Sequence, residues 1–358
     1  MHAAFAFVAS LGKEGTLYAK PSFVPALVFH PRRICNFEQK KAGDLGFFLT
    51  IADKIDIMNL HLIFGGENML YSTETGSMVS SFGLEEGIGL LMDAGFKALD
   101  LSMTDHYDYI FEDDWKETAD WLKNYAESRG VIFNQAHAPF GGGYNHYTTV
   151  LVPQMQRVFA FAGRLGIKTV VVHPLQRGRY YGHEQELFEM NLEFYNALAP
   201  LARDAGVRIG IENMWQSHPI NHYIVDDVCA NPYELCDYYD CLNAPDAFTV
   251  CLDIGHVALC GREPEDAIRI LGRDRLGALH VHDVDYKKDL HTLPGLGKVN
   301  WDAVCDALAE VRYAGEITLE ACFFLNNFDN ELKPKGARFM CECAKHLAEK
   351  VERKMQQG

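Results

Sequence analysis

One pattern limits the possible folds of this chain more than any other. Short apolar runs end abruptly in a carboxylate or an imidazole, and they do so repeatedly. Val250-Cys251-Leu252-Asp253-Ile254-Gly255-His256 is the plainest instance. A continuous apolar run of that length suits a strand covered on both faces, as in a parallel sheet wrapped by helices. Asp253 and His256 then sit at or just past its carboxyl end, where parallel α/β folds carry their chemistry.

From Met69 onward the pattern is regular. Strands are predicted over 70–73, 98–102, 131–137, 169–173, 208–212, 249–253, 278–282 and 316–320. Helices are predicted over 84–95, 114–129, 152–165, 183–205, 232–242, 263–271, 301–311 and 332–352. The spacing is that of a βα unit. Strict alternation predicts an α/β fold closed as a (β/α)8 TIM barrel rather than an open sheet. The short turns AGF, LGI and AGV suit helix-to-strand connections, and Gly95 is a candidate glycine just past a helix end. No low-complexity linker interrupts the series, so residues 69–358 read as one domain.

Residues 1–68 lack this periodicity. The codons possible for Gly65-Gly66-Glu67-Asn68 can spell a purine-rich ribosome-binding site just ahead of Met69. Met69 is therefore expected as the true start, with 1–68 a translated leader; the alternative is a genuine, poorly ordered extension.

Composition narrows the function classes. A net charge of −16 argues against a nucleic-acid partner, because phosphate binding is mostly electrostatic. Ten cysteines occur without a CxxC pair, which predicts reduced thiols and a cytoplasmic protein. No apolar run reaches membrane-spanning length, and Met1 to Leu11 lacks the basic region of a signal peptide.

The strand ends read NQAHAP (134–139), VVHP (171–174), IEN (211–213), LDIGH (252–256), LHVHD (279–283) and LEA (319–321), with a loop DLH (289–291). In a barrel these ends converge on one axis. Carboxylates and imidazoles crowded there repel one another or go unsatisfied unless a cation joins them. A divalent metal held by Glu, Asp, His and Glu resolves both problems, and an oxygen/nitrogen set of that kind accepts Mn, Mg, Co or Zn.

The pieces IEN, CLDIGH, HVHD, DLHTLPGLGKVNW and GEITLEA, in that order, resemble the xylose-isomerase-like barrel superfamily over about residues 69–345. That group includes sugar phosphate isomerase/epimerases, ketose 3-epimerases, inosose dehydratases and endonuclease-IV-type enzymes. The resemblance implies one divalent metal on Glu212, Asp253, His280 and Glu320. His282 also satisfies the pattern of a histidine followed three residues later by an acid, and His280 is preferred because His-x-His-Asp is the commoner form. The implied reaction is isomerisation or epimerisation of a small sugar, phosphorylated or not, beside its carbonyl. Glu212 and Glu320 would exchange a carbon-bound proton through an enediolate, and His256 would hydrogen-bond a substrate hydroxyl. Trp215, Phe140 and Tyr144 could wall the sugar. Relatives are often dimers or tetramers, but no interface can be read from the chain.

The resemblance also carries an alternative, a zinc phosphodiesterase of the endonuclease-IV type with up to three Zn. Its ligand set finds matches at His137, His173, Glu212, Asp253, His256, His280, Asp289, His291 and Glu320. Against it stand the run Asn-Met-Trp after Glu212 and the loop Gly141-Gly142-Gly143, which carries no basic cluster for DNA. A lyase or dehydratase on the same metal site is a further alternative. Plainer roles compete at single residues. Asp253 could merely cap a helix. His137 and His173 could be satisfied at turns, and Asp289 with His291 could be a solvated loop pair. Asp283 reads as an orienter of a histidine, and Asn213 as an orienter of Glu212 or a cap.

Overall fold

The computed structural model describes residues 69–104 and 106–357. The leader or extension expected over 1–68 lies outside the described residues. Eight parallel strands run in sequence order: β1 (Tyr71–Thr73), β2 (Ala98–Ser102), β3 (Ile132–His137), β4 (Thr169–Val172), β5 (Arg208–Glu212), β6 (Phe248–Asp253), β7 (Leu276–His280) and β8 (Ile317–Leu319). Strands β2 to β7 form one continuous sheet, and β1 pairs with β8 through Tyr71↔Ile317 to Thr73↔Leu319. Single parallel bridges, Glu74↔Asp100 and Val281↔Leu319, join the two pieces, so the sheet closes on itself as a (β/α)8 barrel.

The main helices are α1 (Leu84–Ala94), α2 (Trp115–Glu127), α3 (Met155–Leu165), α4 (Glu184–Ala205), α5 (Pro232–Leu242), α6 (Pro264–Arg275), α7 (Trp301–Glu310) and α8 (Lys333–Gln357). Each follows its strand as expected. Helix α1 ends at Gly95 with φ 110°, a left-handed conformation that costs a side-chain-bearing residue energy and glycine nothing. Among the described residues no helix is long and apolar enough to cross a membrane.

Strand parity sets the site. Val170, Val172, Ile209, Ile211, Val250, Leu252 and Leu279 belong to the main core between sheet and helices. Val171, Cys251 and Ala278, one residue out of phase, form a separate apolar cluster on the other face, inside the barrel. Gly210 completes this plug; a Cβ there would lie 3.3 Å from Cys251 and 3.5 Å from Val171. Two residues further along the same inward faces come Glu212, Asp253 and His280. The pleat that buries the aliphatic residues therefore delivers these three side chains into the barrel mouth.

Several short elements were not anticipated, among them helices over Gly76–Phe82 and Cys322–Asn326. After β5 a short antiparallel hairpin pairs Trp215–Ser217 with Ile224–Asp226 and overhangs the carboxyl end.

Candidate active site

Glu212, the last residue of β5, is almost wholly buried. Its Oε1 lies 2.9 Å from His280 Nδ1, and its Oε2 lies 3.0 Å from His173 Nε2 and 3.5 Å from His137 Nε2. Asp253 ends β6. Its Oδ1 accepts the His256 backbone N–H (2.6 Å), capping the helix Ile254–Leu259, and also faces His282 Nε2 at 3.0 Å. Capping and a place in the site thus coexist in one carboxylate. Glu320, just past β8, puts Oε2 3.5 Å from His280 Nδ1 and is the more open of the two glutamates.

Both strand-seven histidines point inward, as residues two apart must. They differ in neighbours. His280 sits with Glu212, Asp253 and Glu320, whose donor atoms can all lie within 4.8 Å of one another. Strand β7 ends at His280, so His282 stands beyond it, stacked on His291 with ring centroids 4.0 Å apart. It belongs to a second group with His256, Asp289 and His291, while His137 joins Glu212 and His280 in a third. The loop pair Asp289 and His291 is therefore turned into the mouth, with His291 Nε2 3.2 Å from Asp289 Oδ2.

Three imidazoles are oriented by the backbone. His137 Nδ1 donates to the Ala138 carbonyl (2.9 Å), His256 Nδ1 to Asn213 (2.8 Å) and His291 Nδ1 to Glu320 (2.8 Å). A carbonyl can only accept, so Nδ1 carries the proton, and in the neutral ring Nε2 offers a lone pair to the mouth. Metal-binding histidines are commonly held in this way. Those lone pairs meet carboxylate oxygens, His256 Nε2 at 3.8 Å from Asp289 Oδ2 among them. Glu212 Oε2, His280 Nε2, His282 Nδ1 and Asp289 Oδ1 are buried without a hydrogen-bond partner among the described residues. Buried acceptors facing acceptors need a positive charge between them, so the donor set fits a divalent cation. Without one, protons take that part. Burial opposes ionisation of Glu212, yet His280 and His173 hold its carboxyl well below the usual range. Burial likewise opposes a charged His291, and Asp289 and Glu320 outweigh it and push the imidazole up. For His173 burial wins over Glu212 and drives it down to about 4. Metal capture displaces such protons.

A family model describing xylose isomerase-like TIM barrels matches residues 88–343. The chain belongs to that family. Curated relatives include uncharacterised proteins of Methanocaldococcus jannaschii (28% identity; 44% of this chain, 52% of that one) and Mycobacterium leprae (28%; 47% and 61%). The chain thus spans between about half and three fifths of the length of these relatives. Among solved structures, this xylose isomerase-like barrel is similar to a D-tagatose 3-epimerase-like protein (20% identity, 80% of this chain and 99% of that chain, TM-score 0.62). It is also similar to a D-psicose 3-epimerase with D-tagatose from Clostridium cellulolyticum H10 (15%, 78% and 99%, 0.61). A third is an IolI protein with a bound zinc atom (16%, 79% and 98%, 0.59). At these identities the likeness is one of fold.

Two expectations for this xylose isomerase-like barrel need correction. Asp283 orients no histidine. Its carboxylate accepts from Val284 N–H (2.9 Å), Gly295 N–H (2.8 Å), Val299 N–H (3.1 Å) and the Trp301 indole (2.9 Å). It is the knot of the loop that presents Asp289 and His291. Gly297 is required beside it, since a Cβ there would meet Asp283 Oδ1 at 2.2 Å. Asn213 does not orient Glu212 either. It clamps Asp253 by accepting its N–H (2.8 Å) and donating to its carbonyl (3.0 Å), so the ends of β5 and β6 are locked together. Asp283→Ala strands four donors and is expected to cost about 3–5 kcal/mol. Urea unfolding checks this, and a loss below about 1 kcal/mol would count against the knot.

Sequence reasoning missed Asp100, Glu74 and Phe323. Asp100, buried in β2, accepts from Gln135 (2.7 Å) and lies 3.5 Å from His280 Nε2. Glu74 follows β1, and burial raises its carboxyl to about 7. Their strands end without a histidine nearby, so no motif marked them. Phe323 lies 5.1 Å from His291, facing the mouth across from Phe140, which is 4.2 Å from His173. Trp215 is 6.4 Å from His256.

Proposed function

We propose that the chain is a metal-dependent isomerase or epimerase of a small sugar or sugar phosphate, working by proton transfer through an enediolate. The observation that carries the reading is the grouping of Glu212, Asp253, His280 and Glu320 at the carboxyl mouth of the barrel, with donor atoms that fit one cation. A divalent ion on these residues would supply a Lewis acid for the substrate's carbonyl and hydroxyl oxygens. The chain's own residues do the rest. Glu320, the more exposed carboxylate, takes the carbon-bound proton, because it can reach a substrate without leaving a cage of imidazoles. Glu212 is the partner that returns it. His256 offers Nε2 to a substrate hydroxyl, and Phe140, Trp215 and Phe323 give apolar faces for the C–H side of a sugar ring. The similar solved structures of 3-epimerases agree with this class.

A second reading has its own support. Three neighbouring donor groups, two of which share Glu212 and His280, suit a multi-zinc phosphodiesterase as well. Metal content per chain, measured on protein purified without chelator, separates the two. About one Mn, Co, Mg or Zn is expected; two to three zinc per chain would transfer the assignment to phosphodiester hydrolysis.

A further inference from the structure

We infer that the opposite mouth of the barrel is a second binding site, for a small hydroxylated anion. At the amino ends of the strands lies a cavity of about 620 Å³. That volume is in the range of small-molecule sites. A barrel interior is ordinarily filled there by layers of bulky branched side chains. Here the lowest inward positions include Thr169, Thr249 and Gly277, and the space stays open. The plug of Val171, Cys251 and Ala278 closes it off from the acid and imidazole groups above. Arg208 is four residues before Glu212 on β5, so it faces inward at the other end of the same strand.

Two independent features point to the ligand. First, Lys123, Lys168, Arg208 and Arg273 line the cavity, and none has a carboxylate within ion-pair distance among the described residues. The cavity's own carboxylates, Glu127, Asp274 and Glu316, form no ion pair with these cations among the described residues; Arg208 acts on Glu316 from longer range, but burial outweighs it and pushes Glu316 towards its neutral form. Convergent unpaired cations on a strongly acidic protein call for an anion, and a guanidinium is suited to phosphate or carboxylate. Second, Asn134 lines the cavity, is 8% exposed and lies against the Glu316 carboxyl; its Nδ2 donates to Thr318 Oγ1 at 3.3 Å, and its Oδ1 has no hydrogen-bond partner among the described residues. It is placed by an irregularity of the sheet, where Leu99 pairs with Phe133 but Asp100 with Gln135, so Asn134 is the extra residue. A buried acceptor without a donor is costly, and a ligand hydroxyl would satisfy it. The anionic part would therefore lie against Arg208 and Lys168, and a hydroxyl against Asn134.

The test uses the full chain stripped of divalent metal, so that the other mouth cannot hold an anion through a metal. Glycerol 3-phosphate is the probe, with inorganic phosphate beside it, and binding is read by titration calorimetry. One site per chain is expected at millimolar or lower concentration. Lys168→Gln, an exposed position that cannot disturb the core, should weaken it at least about tenfold, as should Arg208→Gln. Asn134→Ala should weaken glycerol 3-phosphate more than phosphate. Absence of binding at millimolar probe, or binding indifferent to Lys168→Gln and Arg208→Gln, overturns the site. Neither result bears on the metal-dependent reaction, because its residues lie across the plug.

Discussion

Glu320→Gln is expected to lower turnover by about 10²- to 10⁴-fold, the usual worth of a positioned general base. Glutamine keeps the shape of the side chain but cannot take a proton, and it withdraws one negative charge from the group around His280. The fold should survive, because Glu320 is held at the mouth through its backbone and, among the described residues, its carboxylate makes no hydrogen bond to a backbone group. Exchange of the substrate's carbon-bound hydrogen in D₂O, over a panel of ketoses and their phosphates, reads proton transfer directly. An unchanged exchange rate in the variant would remove Glu320 from the mechanism. The corresponding Glu212→Gln change should be harsher, since that carboxylate touches His137, His173 and His280 together.

Withdrawal of the metal by a chelator should abolish activity and lower thermal stability as well. A ligand that binds only the folded state at about a thousand times its Kd adds roughly 4 kcal/mol. For a barrel of this size that is a fall in Tm on the order of 10 °C. Re-addition of Mn, Co, Mg or Zn should restore both, and the most effective ion identifies the natural one. A Tm indifferent to chelator and metal alike would mean that the buried donors are satisfied by protons alone, which contradicts the proposed cofactor.

The barrel was legible because its strands are covered on both faces and so read as unbroken apolar runs ending in polar residues. All eight predicted strands are present within a residue or two, and the glycine turns fall where helices end. The site was legible where acid and imidazole share a motif, as in CLDIGH. Other parts were not. Period-two alternation places His280 and His282 on one face but is silent about depth, and depth is what assigns them to different donor groups. Asp283 was misread because three of its four partners are backbone N–H groups, up to sixteen residues away, and these leave no trace in side-chain identity. Asn134 and Gln135 both count as inward only because β3 is irregular there, which simple alternation does not foresee. The hairpin at Trp215 has too few residues to show a period.

The contact between His291 Nδ1 and the Glu320 carbonyl ties the loop knotted by Asp283 to the end of β8. A departure of this loop from the mouth therefore breaks a bond on the very residue that would hold the substrate's proton. Glu320 itself stays tied to Val281 through its own N–H (3.0 Å), so the loop can lift without dislodging the end of β8. A lifted loop would thus uncover the Glu320 carboxylate while leaving its backbone seated.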